Sequence, residues 1–196
     1  MKQSIMNGER KPSERIVEAK AAKQLGISRG PVREAIRMLI QDGLLVYNDG
    51  FVRVYQPTVQ DIIDLFECRE SLETLAIKLA IKNITTQERE LLAKNLTETK
   101  NTLERGLVLG ELDQQFHAII FRASKNKQLI ELLEVIKMKI HYMRNSMVGG
   151  DFYPSFIEEH EHIFILLLDG NEQEAENVMS KHIKNGLKGV LMHIEK

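Results

Sequence analysis

The chain has 196 residues, 43% of them hydrophobic, and a formal net charge of −1, which suits one large domain or two modest ones with an ordinary core. Its longest strongly apolar run, Ile163–Leu168, is too short to cross a bilayer. No apolar leader segment follows Met1, and the single cysteine, Cys68, excludes an internal disulfide, so a cytoplasmic chain with no membrane partner is expected.

The charge is unevenly spread. Residues 1–57 carry 10 Lys/Arg and 6 Asp/Glu, whereas residues 58–196 carry 17 and 22. A basic first part beside an acidic remainder points to a polyanionic partner for the first part only.

In chain order, Ile5 and Met6 before Gly8 read as the end of a short helix. A loop through Lys11-Pro12-Ser13 leads to a helix predicted over Glu14–Leu25, stopped by Gly26. Ser28 is the expected cap of the next helix, with Pro31 in its first turn. There Val32, Ala35, Ile36, Leu39 and Ile40 recur at helical spacing and form one apolar face. Ser28, Arg29, Arg33 and Arg37 lie off the centre of that face. Leu44–Tyr47 and Phe51–Tyr55 flank Asn48-Asp49-Gly50, a hairpin signal that puts Gly50 at the tip of a wing.

From Pro57 onward the pattern is helical throughout. Helices are predicted over 59–82, 86–106, 110–124, 127–147, 153–169 and 172–193. Thr58 with Asp61 and Thr85 with Glu88 supply capping boxes. The expected fold is therefore mainly α: a winged helix-turn-helix over residues 1–57, then an all-α six-helix bundle over 58–196.

Helix, glycine turn and a second helix with exposed arginines is the arrangement that places donors against phosphates and base edges. Arginine grips a guanine edge or a phosphate with two hydrogen bonds. A solvated basic face is the alternative for such a helix taken alone. The stretch Ala21–Val54, AAKQLGISRGPVREAIRMLIQDGLLVYNDGFVRV, resembles the winged helix of the GntR family. That family's Leu-Gly-Val-Ser-Arg-x-Pro-Val-Arg-Glu-Ala-Leu run appears with Ile27 for the valine and Ile36 for the last leucine. The resemblance implies contacts to a double-stranded DNA operator at Ser28, Arg29, Arg33, Arg37 and the wing around Gly50. Two departures stand out. Most of the family's first helix before Ile5-Met6-Asn7-Gly8 is absent, and Ser13 takes the place of a turn glycine.

In the second part, Asp113 and His117 are four residues apart and share a helix face. His160 lies ten residues before Gly170 and His182 twelve after it. An antiparallel pair of closing helices would bring these two to similar heights. Three imidazoles and a carboxylate suit a first-row divalent metal, zinc above all and nickel next, although any single helical histidine is more often a core or surface residue than a ligand. The stretches Leu112–Leu129 and Glu158–Ile183 resemble the FCD effector-binding domain of FadR-type GntR regulators. The resemblance implies that Asp113, His117, His160 and His182 hold the metal, and six helices rather than seven match the VanR-like branch. Asn171 replaces the family's aspartate after Gly170. His141, His162 and His193 are read as non-ligands.

Arg69 falls within the apolar stripe of its helix, and a charge facing a bundle needs a partner. Glu73, one turn on, is one candidate. A bound carboxylate is the other, and the family's Glu-x-Arg position, here Glu67-Cys68-Arg69, implies the latter.

The expected function is a transcriptional regulator, a homodimeric repressor whose operator binding responds to a small carboxylate effector. Two alternatives are a DNA-binding protein with a purely structural metal and a metal-dependent hydrolase. Against the second, His160-Glu161-His162-Ile163-Phe164 lacks the second histidine of an HExxH motif, and no nucleophile triad or phosphate loop is visible.

Overall fold

The computed structural model describes residues 1–107, 109–147 and 156–194. Its elements run α1 (Lys2–Met6), β1 (Arg15–Ile16), α2 (Glu18–Leu25), α3 (Arg29–Gln41), β2 (Leu45–Asn48), β3 (Phe51–Val54), α4 (Val59–Asn83), α5 (Thr86–Glu104), α6 (Gly110–Ala123), α7 (Lys127–Met147), α8 (Phe156–Asp169) and α9 (Glu172–Ile194). The chain divides into two compact units. One comprises Met1–Ile62 with Lys137–Gly149, the other Ile63–Ile136 with Gly150–Lys196. The division thus falls inside α4 and α7, where a cut by sequence style fell at Pro57.

In the first unit, α2 and α3 are joined by Gly26 at φ +66°. The Ile27 N–H returns to the Ala22 carbonyl (3.1 Å), the closure of a Schellman turn that only a left-handed residue permits. Val32, Ile36 and Leu39 of α3 are buried with Ile5, Ala21, Ala22, Leu44 and Leu45, so the apolar face read from spacing is the face that packs. The wing sheet has the order β1-β3-β2, antiparallel throughout. Asp49 at φ +50° and Gly50 at φ +76° make its tip, the two consecutive positive φ values of a type I′ hairpin turn. The C-terminal half of α7 completes this unit. The buried Tyr142 donates its hydroxyl to the Tyr55 carbonyl, and Asn145 Nδ2 donates to the Met6 carbonyl (2.9 Å).

Two expectations change here. The helix expected from Glu14 begins at Glu18, and Arg15–Ile16 instead form the third strand of the wing sheet. Ile16 is buried opposite Val52, and that long-range pairing overrides the local helical pattern. Ser28 does occupy the N-cap position of α3, but its side chain makes no capping hydrogen bond.

The second unit is all helix. The Thr85–Glu88 capping box opens α5, with both reciprocal hydrogen bonds formed. Phe116, Ile120, Leu133, Ile163, Leu167, Ala175 and Met179 form the centre of its core. Helices α8 and α9 turn back on each other through Gly170 at φ +72°, and Asn171 Oδ1 accepts from the Glu174 N–H (3.3 Å) to start α9. Asparagine thus does the capping that aspartate would do at this place. The expected break at Gly149-Gly150 and the expected start of α8 at residue 153 lie outside the described residues.

Gly26 has open space where a Cβ would project, so an alanine there meets only the backbone penalty of the left-handed region. Gly26→Ala should destabilise the chain by about 1–2 kcal/mol, seen as a lower urea midpoint with an unchanged slope. An unaltered midpoint would show that the turn carries no such constraint.

Candidate metal centre

Helix α6 carries Asp113 and His117 on one face, α8 carries His160, and α9 carries His182. All four belong to the second unit, and the three imidazoles are 1–5% exposed. The antiparallel α8–α9 pair places His160 Nε2 3.2 Å from His182 Nε2. His182 Nε2 is in turn 3.2 Å from His117 Nε2. Asp113 Oδ1 lies 3.8 Å from His117 Nε2 and 3.7 Å from His160 Nε2. One donor atom from each residue falls within 4.8 Å of every other.

Behind the ring nitrogens stand two carboxylates. His117 Nδ1 bonds to Glu73 Oε2 (2.6 Å), and Glu73 Oε1 accepts from Arg69 Nε (2.6 Å). His182 Nδ1 bonds to Glu159 Oε2 (2.8 Å), and Glu159 Oε1 accepts from Asn185 Nδ2 (2.6 Å). A carboxylate only accepts, so Nδ1 of each of these imidazoles carries the proton and Nε2 presents its lone pair. The Nε2 atoms of His117 and His182 face each other at 3.2 Å in a buried place. With both rings neutral the two lone pairs repel, unless a proton or a metal ion lies between them.

The charges agree. Burial pushes the His160 imidazole well below its ordinary pKa of 6.5, reinforced by His182, His117 and Arg69. Burial likewise lowers His182, against the raising effect of the Glu159 hydrogen bond. These rings are therefore neutral ligands near pH 7 rather than cations. Burial alone would raise the Glu73 carboxyl, but Arg69, His117 and the hydrogen bonds from both hold it down at about 2. Three carboxylates against one guanidinium leave the cluster negative, and a divalent cation would balance it.

The fit to a metal is good on spacing as well as chemistry. Nitrogens 3.2 Å apart, each about 2.1 Å from a common centre, subtend about 100° there, within the range of first-row coordination. Phe116 stacks on His160, with ring centroids 3.9 Å apart, and fixes that ring's plane. Arg69 keeps a side-chain exposure of 14%. It gives Nε to Glu73, and its terminal nitrogens make no hydrogen bond among the described residues. Both partners considered for it in the sequence thus remain compatible: Glu73 takes one edge and the other is open.

The remaining histidines are not among the four converging residues. His162 is exposed, His193 Nδ1 bonds to the Gly189 carbonyl (2.8 Å), and His141 Nε2 bonds to Asn145 (3.2 Å). Sequence reasoning saw Glu73 as a partner for Arg69 and sought no partner for Glu159. Neither was read as the carboxylate that orients a histidine. Glu73 belongs to a buried helix stripe, which is a signal for some buried partner, but which one depends on a helix 44 residues away.

In the first unit, Ser28, Arg29, Arg33, Arg37 and Gly50 are all exposed. Arg33 leans on Glu18 (3.3 Å) and Arg37 on Glu34 (2.9 Å). Gly50 leaves open space at the wing tip.

Removing the carboxylate behind a ligand should weaken the site without deleting a ligand. Glu73→Gln and Glu159→Gln should each lower zinc affinity about 10–100-fold, measured by competition with a chromogenic chelator. Equal affinity in both folded variants would show that these carboxylates do not orient the imidazoles.

Comparison with known proteins agrees with both units. Residues 1–51 match the pattern of the bacterial regulatory proteins of the gntR family, and residues 64–185 match the FCD domain. The chain is 35% identical over 191 residues to the HTH-type transcriptional regulator YdhC of Bacillus subtilis (strain 168), covering 94% of this chain and 85% of that one. It is 33% identical over 187 residues to the Nta operon transcriptional regulator of Aminobacter aminovorans, covering 92% and 86%. In fold it is similar to the E. coli McbR/YncC structure, with a TM-score of 0.75 at 21% identity, covering 97% of this chain and 93% of that one. Among the described residues no helix is long and apolar enough to cross a membrane. The chain belongs to the GntR family of bacterial transcriptional regulators, in the group that couples the gntR DNA-binding domain to an FCD domain.

Proposed function

We propose that this regulator is a cytoplasmic homodimeric repressor. On this reading residues 1–57 read a two-fold-related duplex operator, and residues 58–196 tune that binding through a small carboxylate held at a divalent metal. The observation that carries the reading is the convergence of three buried Nε2 atoms, two of them on rings whose Nδ1 is bonded to a carboxylate behind. Asp113, His117, His160 and His182 are the proposed ligands, with zinc favoured and nickel the alternative.

A carboxylate effector is supported by Arg69, and a donor elsewhere on the same ligand by Asn95. Arg69 lies close enough to Asp113 to feel its charge, and its terminal nitrogens are unspent. A guanidinium with one edge fixed by Glu73 and the other open matches a carboxylate that would also give an oxygen to the metal. Asn95 Nδ2 donates to the Leu112 carbonyl (3.0 Å), beside Asp113, while its buried Oδ1 has no partner among the described residues. An unpaired buried acceptor favours a ligand with a donor in the same interior. An effector acts only through different affinities for two states of the regulator, so acid binding and operator binding are expected to be linked.

DNA reading is assigned to α3, with Ser28 and Arg29 at its start, Arg33 and Arg37 on its exposed side, and Gly50 at the wing tip. Dimerisation fits a module that alone spans few base pairs. Arg33→Ala should lower operator affinity by about 1–3 kcal/mol with unchanged thermal stability, measured by anisotropy on the promoter duplex. Wild-type affinity in that variant would remove α3 from the reading.

Calorimetric titration of small organic acids into metal-loaded protein, metal-free protein and Arg69→Ala tests the effector site. Binding should be seen with the first and fall at least about tenfold in the other two, as loss of a charge-assisted pair implies. An acid that binds all three equally would contradict the proposal. So would a chain that takes up no zinc or nickel, which would leave a purely structural cluster.

A further inference from the structure

The wing sheet carries an arginine pair, Arg15 and Arg53, beyond the individual residues named above for DNA reading. Register places Arg15 of β1 directly opposite Arg53 of β3, and Phe51 lies two residues from Arg53 on the same strand. Alternation therefore puts Arg15, Phe51 and Arg53 on one face. The opposite face holds Ile16 and Val54, both buried in the unit's core. The Arg15 guanidinium carbon sits 3.5 Å from the centroid of the Phe51 ring and that of Arg53 5.9 Å from it, while Phe51 stays 38% exposed.

Like charges directly opposite each other across two strands are unfavourable. Three other arginines of this unit rest on glutamates: Arg10 pairs with Glu14, Arg33 with Glu18 and Arg37 with Glu34. Arg53 Nη1 donates to the Ser13 carbonyl (3.2 Å), which fixes its position but leaves its charge unbalanced. The Arg15 guanidinium has no hydrogen bond or ion pair among the described residues. Stacking on Phe51 occupies the flat face of the guanidinium and leaves its N–H edge free. The group is thus held with its donors unused, beside a second cation, against Phe51, the residue that follows the Gly50 tip.

We propose that Arg15 and Arg53, oriented by Phe51, form a phosphate-binding contact of the wing that is independent of α3. The partner is the DNA backbone. Two converging guanidinium groups match the two free oxygens of a phosphodiester, and this is the basic unit of a DNA-binding regulator. Such a contact would carry affinity and register without reading sequence.

The test needs no knowledge of the operator. Full-length protein is titrated against a short random-sequence duplex over a series of KCl concentrations, with wild type, Arg15→Ala, Arg53→Ala, Arg33→Ala and the double variant Arg15→Ala/Arg33→Ala. Arg89→Ala in α5 serves as a surface control, and thermal melts confirm folding. The slope of log affinity against log salt should shrink by about one for Arg15→Ala and for Arg53→Ala. The Arg15 and Arg33 effects should add, and Arg89→Ala should change nothing. Because Arg15 is exposed and makes no polar contact, Arg15→Ala should fold normally. A wild-type slope in that variant, in both the wild-type and Arg33→Ala backgrounds, would overturn the proposal and leave the arginine–phenylalanine stack a purely structural feature.

Discussion

The second unit depends on one constraint. Glu73 and Glu159 hold the protons of His117 and His182 on Nδ1, so their Nε2 lone pairs must face each other across 3.2 Å. A proton held between two of the rings would relieve that repulsion, and so would a shared metal ion, which would also tie α6, α8 and α9 together, with α4 joined through Glu73. A buried carboxylate such as Glu73 is tolerable only because Arg69 and His117 both satisfy it. Removing one partner of such a group typically costs about 3–5 kcal/mol. The same chain of contacts, from Arg69 through Glu73 to His117, makes one continuous path from the proposed effector-binding guanidinium to the proposed metal. An anion at one end and a cation at the other would therefore influence each other's binding, which is what linkage between two ligands requires.

The DNA-binding unit works under a different electrostatic regime. Two of its exposed α3 arginines rest on glutamates, Arg33 on Glu18 and Arg37 on Glu34. Exposed pairs of this kind are generally worth about 0.2–1 kcal/mol, so exchanging the glutamate for a phosphate or base edge costs little. Arg15 has no such pair to give up. The unit thus combines arginines parked on weak partners with one held ready by an aromatic ring.

Much of this was legible in the sequence because the signals are local. Helices of the second unit follow caps and breakers that need no tertiary context: Thr85 with Glu88 starts α5, and Gly170 with Asn171 separates α8 from α9. Spacing around Gly170 also foretold that His160 and His182 would meet. Features set by long-range pairing were not legible. Arg15–Ile16 reads as helix from its neighbours, yet it is a strand because β3 lies beside it. Ser28 has the right side chain for a cap and sits at the right place, yet makes no capping bond. Glu73 was visible as a buried acid, but its second partner is on α6, and no periodicity reports which helix packs against which. The roles of Glu159 and Asn185 were hidden for the same reason.

The central claim is that the three Nε2 atoms and Asp113 form one metal site. Its most direct test is anomalous diffraction at the zinc edge from crystals of the zinc-loaded full-length chain. The account predicts one strong peak per subunit in the second unit, about 2.1 Å from Nε2 of His117, His160 and His182, with Asp113 completing the set. No peak there, or a peak bound through Nδ1 with Glu73 and Glu159 displaced from their histidines, would contradict it.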